Sequence, residues 1–292
     1  MTRDEIVAGA FAAIARGSKS FRAASRLFDP LTRERASLLY TWCRHCDDVA
    51  DGQSFGFAAG EPGNVRLLRD KTQKVLRGER VEELPFEALR QLLAECPIPG
   101  QYIDDHLAGF DLDQAQWEPQ TEEDLARYCY HVAGTVGCMM AVIMGVAADD
   151  AETLERAADL GIAFQLSNIA RDIREDQVAG RCYLPRDWLR EFGVTPAELF
   201  EPRHEAGLTA MALRLVESVA VYEASARRGV DRLPFRSRLA VLAALRIYGA
   251  IGRRVGTLGA GAWQRRVTIG KVRKLAMLVP TFAEALASGR PR

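Results

Sequence analysis

Two short acidic stretches contain the strongest candidates for metal-binding and catalytic residues. Residues 47–51 read DDVAD and residues 172–176 read DIRED, so each stretch has aspartates at its first and last positions. On a helix, positions four apart lie on one face about 6 Å from each other, so both carboxylates of a pair can bind one cation. Oxygen ligands of this kind suit Mg²⁺ or Mn²⁺. The spacing therefore predicts two divalent-metal sites.

Both acidic stretches lie close to predicted helix ends. Gly52 follows the first stretch, and Ala179 and Gly180 follow the second. The C-terminus of a helix carries partial negative charge, which disfavours clustered aspartates unless a cation binds there. Both stretches place aspartates at this unfavourable position, and such a repeated departure from the usual preference indicates a function.

Ion pairing is the alternative interpretation of these acids. Arg44, Arg171, Arg174 and Arg181 are near enough in sequence to form salt bridges with them on exposed helix faces. The two stretches share their position at a helix end, an apolar helix and a following glycine, which favours the metal sites.

The helices that carry the acids have polar residues along one stripe and apolar residues elsewhere. On the first helix, predicted to begin at Pro30 or Thr32, the stripe includes Ser37, Tyr40, Arg44, Asp47, Asp48 and Asp51. On the second, predicted from Asp150 to near Val178, it includes Gly161, Gln165, Asn168, Asp172 and Asp176. A buried helix with such a stripe must line a cavity or meet polar partners. We expect the two stripes to face each other across one cavity.

The rest of the chain predicts an all-α fold in a single domain, residues 1–292. Helical patterns cover roughly 4–15, 64–77, 82–95, 99–112, 121–146, 203–229, 236–257 and 269–287, and no long alternating strand pattern occurs. Residues 53–63 are rich in glycine and are predicted to form a mobile loop. The uncharged run 132–148 is at the lower limit for a membrane span, and its three glycines favour a buried helix.

Charge is balanced overall but unevenly distributed. Residues 232–292 contain 13 basic residues and one acidic residue, against 26 basic and 38 acidic residues before them. The basic end could bind nucleic acid, an anionic membrane or an anionic substrate, or it could pack on the acidic body. No nucleic-acid recognition motif accompanies it, so we expect no nucleic-acid partner.

The six cysteines and the N-terminal residues favour a reduced cytoplasmic protein. The cysteines do not follow the spacing of a secreted disulfide framework, and the first residues lack a signal peptide's apolar core. Cys43 and Cys46 form a CxxC pair, but two further zinc ligands at suitable spacing are missing from the sequence. We expect these two cysteines to pack in the core.

Two acidic clusters, basic residues and an apolar cavity together suit the ionisation of a diphosphate ester. Cations held by the acids would bridge the diphosphate oxygens, and arginine or lysine would take up the charge that develops as the C–O bond breaks. Exclusion of water would protect the carbocation.

Four motifs in this order resemble the squalene/phytoene synthase family, and most closely its bacterial phytoene synthases. The motifs lie in residues 17–21, 40–51, 128–137 and 165–185, so the resemblance covers nearly the whole chain. It implies a class I isoprenoid synthase fold. It also implies head-to-head condensation of two geranylgeranyl diphosphates to phytoene through prephytoene diphosphate, the first committed step of carotenoid biosynthesis. No nicotinamide cofactor is expected.

The resemblance also implies roles for individual residues. Asp47, Asp51, Asp172 and Asp176 would hold Mg²⁺, with help from Asn168. Diphosphate would contact Ser18, Ser20, Arg44, Arg171 and Arg265, although Arg266 is next to Arg265. The reaction cavity would be lined by Phe21, Tyr40, Tyr128, Gln165, Tyr183 and Tyr248. The proton lost at the end would pass to diphosphate or to a cavity tyrosine.

The main alternative within the family is a shorter substrate. Some members join two molecules of farnesyl diphosphate to dehydrosqualene or squalene. Ser37 lies ten residues before Asp47, about 15 Å along the helix, and Ser25 precedes it on a neighbouring short helix. Small side chains deep in a cavity leave room for the longer C20 tail. We therefore expect geranylgeranyl diphosphate.

Two further functions remain open from the sequence. A terpene cyclase or a chain-elongating prenyltransferase shares the aspartate chemistry. A non-catalytic membrane-associated helical protein would explain the basic end but not the acids. A C40 product cannot dissolve in water, so we expect peripheral contact with the inner face of the membrane for product release.

Overall fold

The structure is a computed structural model that describes residues 1–54, 57–58 and 63–288. Within these ranges, the side chains of Lys19, Ser20, Asp51 and residues 53, 54, 57 and 58 are not described.

Helices dominate the described residues and confirm the all-α prediction. They are α1 (Arg3–Gly17), α2 (Lys19–Ala24), α3 (Pro30–Asp51), α4 (Val65–Leu76), α5 (Leu84–Glu95), α6 (Gly100–Gln114), α7 (Glu122–Cys129), α8 (Thr135–Ile143), α9 (Ala151–Val178), α10 (Arg186–Glu191), α11 (Glu205–Gly229), α12 (Phe235–Leu258) and α13 (Lys271–Ala287). Short 3₁₀ turns occur at Ser25–Leu27, Pro196–Glu198, Pro202–His204, Val230–Arg232 and Gly259–Trp263.

The starts of the two motif-bearing helices follow from their capping residues. Asp29 accepts a hydrogen bond from the backbone N–H of Thr32 at the start of α3, and Pro30 occupies the first turn. Asp150 caps α9 in the same way through the N–H of Thr153. Gly52 ends α3 with a positive φ of 63°. The observed ends of both helices agree with the prediction.

The prediction of one continuous helix over 121–146 is wrong, because the α-helix is interrupted in the middle of this range. A π-helical turn, Tyr130–Gly134, separates α7 from α8. Such turns insert one extra residue into a helix and often occur at functional sites. Periodicity over a short window does not reveal a single extra residue, so the sequence missed this turn.

The predicted loop over 53–63 also contains regular structure. Gln53–Ser54 (β1) pairs antiparallel with Phe57–Ala58 (β2), directly after the end of α3. Strands of two residues are too short to show an alternating pattern. Residues 55–56 and 59–62 of this predicted loop lie outside the described residues.

Helix α9 lies at the centre of the molecule, where it packs on α8, α11, α12 and the π-helical turn. Two glycines permit this close packing. A Cβ added at Gly161 would lie 2.1 Å from the Ala133 carbonyl oxygen, and one added at Gly137 would lie 2.1 Å from that of Ala157. These approaches fix α9 against the helices before it.

Helix α3 belongs to the other half of the core and packs on α1, α4, α5, α6 and α8. Its apolar residues Leu38, Leu39, Trp42 and Cys46 are almost completely buried. The polar stripe of α3 is half-buried from Tyr40 to Asp48. The predicted division of this helix into a buried apolar side and a polar stripe is confirmed.

The uncharged run 132–148 is part of the core, as predicted, because Met139 and Val142 within it are buried. Among the described residues, no helix combines the length and apolar composition needed to cross a bilayer. Burial raises the pKa of both Cys43 and Cys46, as expected for cysteines packed in a core.

Candidate active site

The first acidic motif occupies the last turns of α3. Arg44 donates two hydrogen bonds to Oδ1 of Asp48, at 3.0 Å from Nε and 2.7 Å from Nη2. Asp47 is half-buried on the same helix. The side chain of Asp51, which is the predicted partner of Asp47 in the first metal-binding pair, is not described. This end of α3 therefore brings at least two carboxylates and one guanidinium together.

The α1–α2 junction packs on α3 beside this motif. The hydroxyl of Ser18 accepts a hydrogen bond from the N–H of Phe21, and the Phe21 ring stacks on Tyr40 with centroids 4.9 Å apart. The Tyr40 hydroxyl lies so close to Gly17 that a Cβ there would be 2.6 Å away. Burial raises the pKa of Tyr40. The predicted substrate-binding residues Ser18, Phe21 and Tyr40 are thus neighbours, while the side chain of Ser20 is outside the described part.

The second acidic motif lies near the end of α9 and is paired with two arginines. Arg171 donates to Asp172 through Nε at 2.7 Å and also through Nη2. Arg266 donates to both Asp172 oxygens at 3.0 Å. Burial raises the pKa of Asp172, but the hydrogen bonds from the two arginines outweigh it, so this pKa lies below the usual value.

Asp176, one turn after Asp172, is in a different electrostatic environment. Burial raises the pKa of Asp176 to about 7; Arg181 opposes this effect, and the carboxylates of Asp172 and Glu175 add to it. A small pocket lies against Asp176 and is lined by residues that include Ile173, Tyr183 and Leu199. A half-buried carboxylate among like charges is stabilised in its ionised form by a cation.

Asp113, which was not predicted from the sequence as a site residue, joins two of the predicted ones. Its carboxylate accepts hydrogen bonds from the hydroxyl of Tyr128 at 2.9 and 3.0 Å and from that of Tyr183 at 3.1 Å. The two tyrosine rings stack with centroids 5.0 Å apart, and Trp117 stacks on the other side of Tyr128. Burial raises the pKa of both phenols, so both stay protonated donors.

No signal in the sequence singled out Asp113. It lies in DLDQ near the end of α6, where it resembles an ordinary surface acid of a helix. Only the fold brings α6 beside Tyr128 on α7 and Tyr183 before α10. Tyr183 and Asp176 line the same small pocket, so this tyrosine pair lies close to the second motif.

The middle of α9 contributes the remaining predicted cavity residues. Gln165 and Asn168 are half-buried, whereas Leu166 and Ile169 beside them are buried. Tyr248 on α12 stacks on Phe164 of α9 with centroids 4.2 Å apart. The predicted polar stripe of α9 is therefore partly accessible from Gln165 to Asp172, whereas Gly161, also predicted on this stripe, is buried against Ala133.

Ser25 and Ser37 are both buried, with 2% and 0% of their surface exposed. The hydroxyl of Ser25 donates to the Arg22 carbonyl at 3.2 Å, and that of Ser37 donates to the Arg33 carbonyl at 2.7 Å. Both hydroxyls already donate to nearby backbone carbonyls. The two serines would therefore affect a substrate through their small size and not through a polar contact.

Arg265 and Arg266 have different surroundings. Both arginines are exposed, but Arg266 also contacts Asp172, which lies 94 residues earlier in the sequence. Helical periodicity does not apply to this irregular segment, so the sequence could not decide which arginine points to α9. Arg265 remains the predicted diphosphate contact, and Arg266 joins the candidate site.

A separate acidic group lies on the surface between α10 and α11. Glu198, Glu201 and His204 are the one set of three potential metal ligands that lie within reach of each other among the described side chains. Arg203 forms ion pairs with both glutamates, at 2.6 and 2.9 Å. These pairs offset part of the negative charge of the cluster, which contains none of the predicted site residues.

A family comparison identifies the chain. The family model of squalene/phytoene synthases matches residues 14–273. The chain therefore belongs to the squalene/phytoene synthase family. The match includes both acidic motifs and the segment that carries Arg266.

Individual relatives within the squalene/phytoene synthase family extend this result. The chain is 46% identical to the 15-cis-phytoene synthase of Enterobacter agglomerans, over 93% of this chain and 93% of that protein. It is 44% identical to the phytoene synthase of Pseudescherichia vulneris, over 100% of this chain and 96% of that protein.

A solved structure of the family confirms the fold. A dehydrosqualene synthase in complex with a ligand superimposes with a TM-score of 0.86 at 25% identity, and 98% of each chain is covered. The isoprenoid synthase fold expected from the four motifs is therefore confirmed.

Proposed function

We propose that the chain is a prenyltransferase that joins two molecules of geranylgeranyl diphosphate to phytoene, through prephytoene diphosphate, with release of two diphosphates. The observation that carries this proposal is the 46% identity with a phytoene synthase over nearly the full length of both chains. The reaction is the first committed step of carotenoid biosynthesis. The whole chain would act as one isoprenoid synthase domain.

The candidate site fits a divalent cation. Asp172 and Asp176 lie one turn apart on α9, and burial, together with the nearby carboxylates of Asp172 and Glu175, raises the pKa of Asp176 to about 7. All the donors are oxygens, which suits Mg²⁺ or Mn²⁺. Asp47, Asp51, Asn168, Asp172 and Asp176 would hold the metal. Bound metal would supply positive charge to the diphosphate oxygens.

The arginines of both motifs would bind diphosphate. Arg44 is paired with Asp48 on α3, and Arg171 and Arg266 are paired with Asp172 on α9. Guanidinium groups bind phosphate oxygens through parallel hydrogen bonds and stabilise the charge that develops on the leaving group. Ser18, Ser20 and Arg265 would add further contacts.

The aromatic residues would shape the cavity and exclude water. Phe21 and Tyr40 lie beside the first motif. Tyr248 stacks on Phe164 of α9, and Tyr183, which stacks on Tyr128, lines the same pocket as Asp176. Exclusion of water protects a carbocation, and aromatic faces stabilise positive charge nearby. The raised phenol pKa values keep Tyr128 and Tyr183 neutral, so released diphosphate is the better acceptor for the final proton.

Condensation of farnesyl diphosphate to a C30 product is the second candidate. The solved relative with a TM-score of 0.86 is a dehydrosqualene synthase. The small buried side chains of Ser25 and Ser37 favour the longer C20 donor over this alternative. We expect the enzyme in the cytoplasm, with peripheral contact to the membrane that receives the product.

An activity assay tests this proposal. The purified protein is incubated with Mg²⁺ and geranylgeranyl diphosphate, without a nicotinamide cofactor. We expect extraction to yield a C40 hydrocarbon with triene absorption. Asp172→Asn should reduce turnover by at least about 100-fold, because loss of preorganised charge stabilisation typically has an effect of this size. Wild-type protein without turnover of either C15 or C20 donor, with metal and detergent varied, would contradict the proposal.

A further inference from the structure

Helix α13 exposes a row of five large apolar side chains to solvent. The row, which we call the α13 stripe, has exposed fractions of 82% at Val272, 66% at Leu275, 75% at Val279, 49% at Phe282 and 53% at Leu286. The intervals of three, four, three and four residues place all five side chains on one face of the helix. Contiguous apolar surface of this kind usually marks an interaction site.

The opposite face of α13 attaches the helix to the protein. Thr281 and Ala285 are completely buried, and Met277 packs on the core cluster around α9 and α11. Arg238 of α12 donates a hydrogen bond to the Ala285 carbonyl at 3.0 Å. The α13 stripe therefore points away from the body of the protein, and its exposure is not a consequence of loose attachment.

On the other described helices, exposed large apolar residues occur singly or in pairs. Val221 on α11 is 69% exposed, and Val178 at the end of α9 is 82% exposed. Isolated residues of this kind are normal on protein surfaces. The α13 stripe is continued by Phe235, whose ring packs edge-on against Phe282 at 5.7 Å.

The charge of α13 suits an anionic partner. Lys271, Arg273 and Lys274 lie in its first turn, and Glu284 is its single acid. Arg246 contacts Glu284 at 2.5 Å and Arg227 contacts its other oxygen, so two arginines of the protein body neutralise this carboxylate. The helix thus presents apolar and positively charged groups, and no unpaired acid.

We propose that the α13 stripe docks the protein on the surface of a lipid bilayer that contains anionic lipids. An amphipathic helix with basic residues beside its apolar face lies in the bilayer interface, where burial of the apolar side chains and attraction to anionic headgroups both contribute. A second copy of the chain is a poorer partner, because it would oppose one basic helix to another.

The position of α13 connects docking to the active site. The helix begins five residues after Arg266, which contacts Asp172, and five residues span at most about 18 Å. Docking through α13 would therefore bring the second acidic motif close to the bilayer. The use of this surface for release of a C40 product rests on the proposed function, whereas the docking itself does not.

Vesicle flotation of the full-length protein tests the surface. We expect wild-type protein to float with vesicles of phosphatidylcholine and phosphatidylglycerol and to bind much less to pure phosphatidylcholine or in high salt. Val279→Glu should lower the partition coefficient at least about tenfold, because it removes buried apolar area and adds a like charge to the membrane contact. Val221→Glu is the matched control and should float like the wild type.

Two outcomes would overturn the docking proposal. These are wild-type protein that does not float and Val279→Glu that floats unchanged; in the second case, altered self-association of Val279→Glu in sedimentation would assign the α13 stripe to contact with a second copy of the chain. We expect Val279→Glu to keep wild-type turnover in detergent micelles. Because flotation needs no substrate, a wild-type protein that floats but has no turnover would count against the proposed function and not against the docking surface.

Discussion

At the scale of single residues, Asp113 joins two tyrosines that are distant from it in the sequence. One carboxylate accepts the hydrogen bonds of two stacked tyrosines, Tyr128 and Tyr183, and lies near Asp176. Two donors on one acceptor fix both ring orientations more tightly than packing alone. We therefore expect Asp113 to position Tyr128 and Tyr183, the second of which lines the pocket beside Asp176.

Replacement of Asp113 by asparagine tests this role. The uncharged amide oxygen accepts weaker hydrogen bonds than the carboxylate, and an amide NH2 replaces the second acceptor oxygen, so both tyrosines are held less firmly. We expect kcat/KM to fall by about tenfold to 100-fold, since small displacements of positioned groups have effects of this size. The measurement is steady-state kinetics beside a thermal melt.

Asp111→Asn is the control on the same helix, because Asp111 forms an exposed ion pair with Arg69. It should leave kcat/KM unchanged. If Asp113→Asn lowered the melting temperature but left kcat/KM of the folded protein unchanged, Asp113 would have a structural role alone.

At the scale of elements, the position of α9 depends on its contact with the π-helical turn. The Gly161 Cα approaches the backbone of Ala133 and Gly134 so closely that an added Cβ would lie within 2.1–2.7 Å of three backbone atoms. Backbone atoms cannot move aside as a flexible side chain can. Every residue of the second motif is carried by this helix.

Gly161→Ala should therefore push α9 away from the turn. We expect a loss of about 3 kcal/mol in the free energy of unfolding, typical of severe overpacking. Gly261→Ala is the control, because no atom lies within 4 Å of its added Cβ. Urea unfolding of both variants measures the difference, and equal stabilities would contradict the close contact.

The N-terminal helices are joined by a polar cluster around Glu95 at the end of α5. Arg3 of α1 donates to Glu95 at 2.7 Å, Arg35 of α3 at 3.1 Å and Gln91 at 2.8 Å. Burial raises the pKa of Glu95, but these hydrogen bonds outweigh it and set the pKa at about 2. The cluster fixes α3, and thus the first motif, against its neighbours.

This depressed pKa gives the stability a defined pH dependence. The folded pKa lies below the unfolded value of about 4.3, so the contribution of Glu95 is complete above that pH and is lost as the pH falls towards 2. Glu95→Gln should cost about 1–2 kcal/mol at pH 7 and less at pH 3. Glu79→Gln, which alters an exposed pair with Arg77, should have little effect at either pH. A Glu95→Gln cost that did not depend on pH would contradict the assignment.

At the scale of the whole molecule, local patterns predicted the helices and the acidic motifs but not the contacts between distant segments. The start of α3 was predictable because Asp29 and Pro30 are local capping signals. The π-helical turn was missed because one inserted residue does not alter a short periodic pattern. Asp113 and Arg266 were missed because their partners lie 15 to 94 positions away in the sequence.

Competition between donors tests the central proposal most directly. Purified protein with Mg²⁺ receives equal concentrations of geranylgeranyl and farnesyl diphosphate, and the hydrocarbons are separated by chain length. We expect the C40 product to dominate, because the small, buried side chains of Ser25 and Ser37 would leave room for a longer tail than large side chains would at these positions. A predominantly C30 product would contradict this proposal and assign the chain to the dehydrosqualene or squalene synthases of the same family.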